Sequence, residues 1–182
     1  MKLVPTASQT VGPYFRIGLQ HLCRAAESTE TESFNVHGRV LDANRIPVPD
    51  AMLELWQADP LGLYSRDKEI AANSGFAPGF ARITTDDAGR FRFTTCRPGA
   101  VPFDSHRMQA PHIVVLFFAR GLLRHLITRM YFPDQPANET DPVLQLVPEE
   151  RRGTLIARTQ SAGNLEWNIV LQAEDETVFF AW

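Results

Sequence analysis

The amino-acid sequence predicts an all-β fold: an antiparallel β-sandwich with an N-terminal arm and one short helix near the C-terminus. About eight short segments alternate apolar and polar residues, and turn-forming Asp, Asn and Gly residues separate them. Helix signals occur together only late in the chain. We therefore expect an arm and extension over residues 1–33, where Pro, Ser, Thr and Gln are mixed with scattered apolar residues, and a sandwich domain over residues 34–182.

The first strands are predicted from their alternation. Residues 34–41 alternate around valines, and residues 51–58 repeat the pattern after a turn. A β-hairpin is predicted over residues 81–95, where Phe91 and Phe93 alternate with polar side chains after an Asp-Asp-Ala-Gly turn.

The later elements follow from apolar runs and helix signals. Residues 112–119 are apolar on both faces, which is typical of a central strand, and residues 123–132 alternate again. A helix is predicted to begin at Pro148, because two glutamates follow in its first turn. Residues 165–172 form the last predicted strand. The tail, residues 177–182, is apolar to its end, so we expect it to pack on the domain or on a partner.

Composition excludes several classes of function. The 182 residues carry 18 basic and 21 acidic side chains, a net charge of -3, so no strong field attracts nucleic acid or an anionic membrane. No apolar run is long enough to span a bilayer, and the first ten residues lack the features of a signal peptide. Cys23 and Cys96 are far apart and form no disulfide framework. We expect a cytoplasmic protein.

The residues alone give only weak signals for chemistry. No nucleophile elbow or phosphate-binding loop occurs, and no two histidines stand at a metal-ligand spacing. His112 opens the apolar strand, where it either bonds to the backbone or acts as a ligand at the strand mouth. Tyr64 either packs its ring in a loop or has a functional role. Arg120 either caps backbone carbonyls or binds a ligand's carboxylate.

A series of short motifs, in this order and spacing, resembles the intradiol ring-cleavage dioxygenases over most of residues 8–182. The arm motif Ser-Gln-Thr-Val-Gly-Pro-Tyr at 8–14 and the ending Glu-Thr-Val-Phe-Phe at 176–180 resemble the alpha-type chains of hetero-oligomeric members in particular. The other matching motifs lie at residues 38–42, 47–51, 54–59, 62–64, 85–93, 97–99, 111–113 and 128–132.

The resemblance implies a metal site that this chain has half lost. Iron-bearing members hold Fe(III) with two tyrosines and two histidines, whose phenolates help to neutralise the hard ferric ion. By position, one tyrosine falls on Tyr64 and one histidine on His112. The other two positions are Val101 and Val114, which cannot donate, and an arginine expected before the histidines is Gln109. The resemblance therefore implies vestigial ligand positions, and no catalytic residue on this chain alone.

The resemblance also implies a partner. A ligand-complete beta-type subunit would hold Fe(III) and use O2 to cleave 3,4-dihydroxybenzoate (protocatechuate) to 3-carboxy-cis,cis-muconate. This chain would lend residues to the substrate pocket of that partner, and a cation among them suits a carboxylated catechol. The lent positions are Thr10, Gly12, Pro13 and Tyr14 in the arm, and Arg120 after the apolar strand.

Two alternatives remain open at this point. A transthyretin-like β-sandwich binding module would explain the strands, the Asp-Gly turns and the lost ligands. It explains the motif at residues 10–14 and the apolar C-terminus less well. The second alternative is an enzyme active by itself, with a displaced ligand set that uses His106 or His125.

Overall fold

The computed structural model describes residues 4–19, 33–64 and 79–181. Within them the chain forms two short α-helices, two 3-10 turns and eleven strands arranged mainly in two sheets. The helices are α1 (Pro13–Leu19) and α2 (Glu149–Arg152), with 3-10 turns at Pro136–Thr140 and Leu144–Leu146. The strands are β1 (Ser33–Leu41), β2 (Met52–Trp56), β3 (Phe80–Thr84), β4 (Arg90–Cys96), β5 (Val101–Pro102), β6 (Met108–Gln109), β7 (His112–Phe118), β8 (Leu126–Tyr131), β9 (Arg158–Ser161), β10 (Asn164–Glu166) and β11 (Ile169–Val170).

The first sheet is organised around the nine-residue strand β1. Its residues alternate strictly between exposed and buried from Ser33 to Val40, so one face reaches the core. Strand β4 pairs with it antiparallel. On the other edge, β10 and β11 pair in turn with the two halves of β1, both in parallel, and β9 continues from β10.

The second sheet has the order β3-β2-β7-β8, with every neighbouring pair antiparallel. The predicted central strand is thus confirmed, because β7 lies between β2 and β8. Leu53, Ile113 and Phe117 of this sheet belong to one apolar cluster with Val36 and Phe93 of the first sheet. Two sheets facing across one core make the predicted β-sandwich.

The predicted hairpin over residues 81–95 is wrong. Strand β3 pairs with β2 and β4 pairs with β1, so the turn after Thr85 carries the chain from one sheet to the other. The Asp86 carboxylate closes that turn by accepting hydrogen bonds from the amides of Ala88 (2.9 Å) and Arg90 (2.8 Å). Alternation shows which face of each strand is apolar, but not which strand it pairs with. Here β3 and β4 belong to different sheets, and their apolar faces meet across the core.

The C-terminal third departs from the predicted pattern at its helix, at the strand β9 and at its last predicted strand. Helix α2 ends at Arg152, one turn after Pro148, and Leu155 then bonds through its carbonyl to the amide of Tyr131 (2.8 Å). The predicted strand over residues 165–172 is divided into β10 and β11. Between them the Trp167 amide still donates to the carbonyl of His37 (3.0 Å), so the buried face of this segment is kept.

The two termini of the described chain lie against the second sheet. The Phe180 amide donates to the carbonyl of Ile127 (2.7 Å), so the apolar tail packs on the domain. Helix α1 was not expected from the sequence, although Pro13 at its first position suits a helix start. Trp182 and Cys23 lie outside the described residues, and Cys96 is a buried free thiol. None of the helices in the described ranges is long and apolar enough to cross a membrane.

Candidate functional site

The N-terminal arm docks at the end of β7. The Thr10 hydroxyl oxygen accepts a hydrogen bond from the amide of Gly121 (2.8 Å), in the turn that follows the strand. The Phe15 ring packs against Phe118, with ring centroids 5.5 Å apart. Two separate contacts therefore hold the arm beside Arg120, the predicted carboxylate-binding residue.

Asp50 joins the arm to Arg120 through both carboxylate oxygens. Its Oδ1 accepts a short hydrogen bond from Nη1 of Arg16 in α1, and its Oδ2 lies 3.8 Å from Nη2 of Arg120. Asp50 has a φ of 60°, a left-handed conformation that Asp and Asn adopt more readily than most residues. The Arg16 side chain is 24% exposed, whereas that of Arg120 is 54% exposed. Arg120 is thus loosely held and accessible.

The remaining predicted pocket residues lie exposed at the start of α1. Gly12, Pro13 and Tyr14 are all exposed, and Tyr14 is 81% exposed, a large value for an aromatic ring. The Gly12 carbonyl accepts a hydrogen bond from the Phe15 amide (3.0 Å), which fixes the helix start. The structure therefore places the predicted arm residues and Arg120 in one region of the surface.

A second region contains the positions predicted as vestigial ligands, on the outer face of the second sheet. Tyr64 reaches it from the loop after β2 and stacks on Trp56, with ring centroids 6.3 Å apart and planes 12° from parallel. The Asp59 carboxylate shapes this loop by accepting hydrogen bonds from the amides of Leu61 (2.9 Å) and Leu63 (2.8 Å).

The Tyr64 loop is held against the segment that leads to Val101. The Gly99 amide donates to the carbonyl of Asp59 (2.8 Å). A Cβ atom on Gly99 would lie 2.4 Å from the amide nitrogen of Gly62, so only glycine permits this approach. Gly99 thereby brings Tyr64 and Val101, the two predicted tyrosine-ligand positions, to the same side of the sheet.

The histidine positions lie on β7, on the face opposite the core. Val114 stands between Trp56 of β2 and Arg129 of β8 in the register of the sheet. His112, two residues earlier on the same face, stands opposite Tyr131. Val101 pairs with Gln109 in the β5–β6 hairpin beside them.

His112 is a buried residue that bonds to the backbone. It is 4% exposed, and its Nδ1 lies 2.7 Å from the carbonyl oxygen of Ala110. Burial lowers the pKa of His112 to about 4, and the positive charge of Arg129 acts in the same direction. His112 was expected either to bond to the backbone or to act as a ligand, and the structure shows the bond to the backbone.

Arg129 is the residue of this region that sequence reasoning missed. It is only 7% exposed, and its Nη1 donates to Oε1 of Gln109 (2.7 Å) and lies 3.4 Å from the Tyr131 hydroxyl. That hydroxyl in turn donates to the carboxylate of the buried Asp141 (3.0 Å). An arginine in an alternating strand ordinarily points to solvent, so the only signal was its place in the family motif at residues 128–132.

Comparison with known proteins identifies the family. A sequence-family model described as Dioxygenase (Dioxygenase_C) matches residues 19–173. The protocatechuate 3,4-dioxygenase alpha chain of Burkholderia cepacia is 40% identical over 197 residues, which cover 98% of each chain. The chain belongs to the intradiol ring-cleavage dioxygenase family.

Two further intradiol dioxygenases extend the comparison. The protocatechuate 3,4-dioxygenase beta chain of Burkholderia cepacia is 37% identical over 157 residues, 80% of this chain and 67% of that one. The solved structure of hydroxyquinol 1,2-dioxygenase from Pseudomonas putida DLL-E4 superposes with a TM-score of 0.62 and 21% identity, over 88% of this chain and 71% of that one. This superposition shows that the sandwich is the intradiol fold.

The intradiol family is iron-dependent, but the residues at the predicted ligand positions of this chain do not fit a ferric ion. Val101 and Val114 offer no donor atom, and the Arg129 guanidinium brings a positive charge to their side of the sheet. Burial raises the pKa of the Tyr64 phenol, against the effect of Arg129, so the phenolate is disfavoured. No group of three or more His, Cys, Asp or Glu side chains that could hold a metal occurs in residues 4–19, 33–64 and 79–181.

The histidines proposed for a displaced ligand set are both exposed. His106 lies in the loop between β5 and β6, where its amide bonds to the carboxylate of Asp104 (2.9 Å). His125 lies beside Phe118, with ring centroids 5.4 Å apart, near the end of β7 that carries the arm. The structure therefore does not bring the two together with His112.

Replacing Asp50 should loosen the arm. Asp50→Asn keeps the left-handed backbone but removes the charge that pairs with Arg16, so α1 should open more often. We expect trypsin to cleave after Arg16 at least several times faster than in the unaltered chain. Asp175→Asn is the matched control, because it breaks the exposed pair of Asp175 with Arg45. Equal cleavage rates in both variants would contradict the role of Asp50.

His112 should make stability depend on pH. Its pKa is about 4 in the folded chain and 6.5 when unperturbed, so below pH 6.5 the unfolded chain binds a proton that the folded chain does not. The free energy of unfolding should therefore fall as the pH decreases from about 6.5 to about 4, by about 3 kcal/mol in all. Urea denaturation across this range should show a smaller fall for His112→Gln. His106→Gln, at an exposed site, should behave like the unaltered chain.

Proposed function

We propose that this chain is the iron-free alpha-type subunit of a protocatechuate 3,4-dioxygenase, an oxidoreductase of aromatic-compound catabolism. The observation that carries this proposal is similarity over 98% of an alpha chain, combined with valines at two of four ligand positions. The likeness includes the arm and the apolar tail, so a transthyretin-like binding module is not favoured. The chain alone should have no dioxygenase activity.

The proposed partner is a ligand-complete beta-type subunit in a hetero-oligomer. A beta chain from the same bacterium as the similar alpha chain is itself 37% identical to this one, which supports a pair of related sandwiches. Fe(III) on the partner would supply the Lewis-acid chemistry that prepares the catechol for attack by O2. This chain's own contribution is to bind and orient the substrate.

The surface around Arg120 supports that contribution. A guanidinium can bind a carboxylate through two parallel hydrogen bonds, and a 54% exposed arginine is free to turn toward a ligand. The exposed Gly12, Pro13 and Tyr14 stand on the same side, where a partner's cleft would meet them. In this proposal the carboxylate of protocatechuate binds Arg120 while its two hydroxyls face the partner's iron.

The organisation and location of the chain belong to the same proposal. Residues 1–33 act as an arm and extension, and residues 34–182 as the dioxygenase-like domain. We place the assembly in the cytoplasm, in keeping with a buried free thiol at Cys96. Expression of a fluorescent fusion followed by cell fractionation would check the location.

Reconstitution tests the function. The chain is purified alone and after co-expression with a ligand-complete beta-type subunit, and each sample is assayed for bound iron, tyrosinate-to-iron absorbance and O2 uptake with protocatechuate. We expect iron and turnover only in the complex. Iron and turnover by the chain alone would overturn the subunit assignment, and failure to bind any such partner would favour the binding module.

Arg120 should affect substrate binding in the complex. Arg120→Ala removes a charge-assisted hydrogen bond worth about 1–3 kcal/mol, so KM for protocatechuate should rise about 5- to 150-fold. Arg158→Ala is the matched control, because Arg158 is exposed on β9 in the other sheet and should leave KM unchanged. An unchanged KM in the Arg120 variant would mean that this residue is structural only.

A further inference from the structure

We propose that the guanidinium of Arg129 takes the place of the metal cation in this chain, and that it closes the vestigial site to iron independently of the two lost ligands. Nothing in this inference depends on the substrate or on the partner subunit. It concerns the outer face of the second sheet, between β7, β8 and the β5–β6 hairpin.

The sheet register places Arg129 among the expected ligand positions. Arg129 stands directly opposite Val114 on the neighbouring strand, and the next residue on that face, Tyr131, stands opposite His112. On the other side of Val114 is Trp56, on which Tyr64 is stacked. Directly opposite side chains lie about 5 Å apart at Cβ, so a long arginine necessarily enters the space beside Val114 and His112.

Hydrogen bonds direct the Arg129 guanidinium toward Val101, the remaining predicted ligand position. Its Nη1 donates to Oε1 of Gln109 (2.7 Å), and Gln109 is the cross-strand partner of Val101. The Gln109 amide group in turn donates to the carbonyl of Pro102 (3.1 Å), so both ends of this side chain are fixed. Arg129 thus connects the strand opposite Val114 to the hairpin that carries Val101.

The exchange of a metal ion for an arginine is reasonable in electrostatic terms. The Arg129 guanidinium would keep a cation among the surrounding oxygen atoms in place of the metal ion. An arginine side chain never loses its charge in proteins. Arg129 is 7% exposed, so a ferric ion placed in the same space would meet a buried positive charge. Gln109 also fits this view, because an arginine there would face Arg129 directly.

A test restores the ligands with and without the arginine. The first variant of the full chain carries Val101→Tyr and Val114→His and keeps Arg129. The second adds Arg129→Gln, which removes the charge but can still bond to Gln109. A third adds Arg129→Lys, which keeps the charge, and a fourth adds Arg158→Gln as a control for the loss of an exposed arginine. Each is incubated with ferrous sulfate in air-saturated buffer, desalted, and assayed for iron per chain and for tyrosinate-to-iron absorbance.

We expect the variant with Arg129→Gln to hold at least tenfold more iron than the other three, with the visible tyrosinate band appearing only there. Equal iron in the variants with and without Arg129, whether high or low, would overturn the proposal. More iron in the Arg129→Lys variant than in the first would also overturn it, because charge would then not be the cause. Circular dichroism checks folding, and Arg129→Met replaces Arg129→Gln if that variant is unfolded.

Discussion

The pairing of β7 with β2 and β8 is the interaction on which the rest of the structure depends. Ile113 and Phe117 point from this strand into the core between the sheets. His112 and Val114 alternate with them and face the opposite side, among the predicted ligand positions. The same strand leads into Arg120 and the turn that holds the arm. A shift of one residue in register would exchange these faces, so the core and both candidate regions are fixed together.

The region of the predicted ligand positions contains an organised set of polar side chains. The carboxylate of Asp141, the hydroxyl of Tyr131, the guanidinium of Arg129 and the amide of Gln109 form a continuous chain of hydrogen bonds. Asp141 also accepts from the amides of Ala110 and Leu144 (both 2.7 Å), so it ties the network to the backbone. Because Asp141, Tyr131 and Arg129 are buried, each needs its partner, and the network stabilises the covering segments as well as the sheet.

The sequence was sufficient where local pattern determines structure, and insufficient where distant partners do. Alternation predicted the strands and their apolar faces, and the motifs predicted where Tyr64 and His112 would lie. The hairpin over residues 81–95 was wrong because alternation does not say which strand a neighbour pairs with. Asp50 and Arg129 were missed because their importance comes from residues 34 and 20 positions away, which only the fold brings near. Recognition of the family supplied positions, but not these side-chain contacts.

The two oxygens of Asp50 have different tasks. One is bound by Arg16, which is largely covered, and the other faces Arg120 at a distance that leaves this arginine free to exchange partners. In the proposed assembly, a bound carboxylate would take Arg120 from Asp50, and its departure would return Arg120 to Asp50. The arm would meanwhile remain attached through Arg16. In that assembly, release of the product would be separate from attachment of the arm, so the pocket would empty in every turnover without loosening the chain that forms its wall.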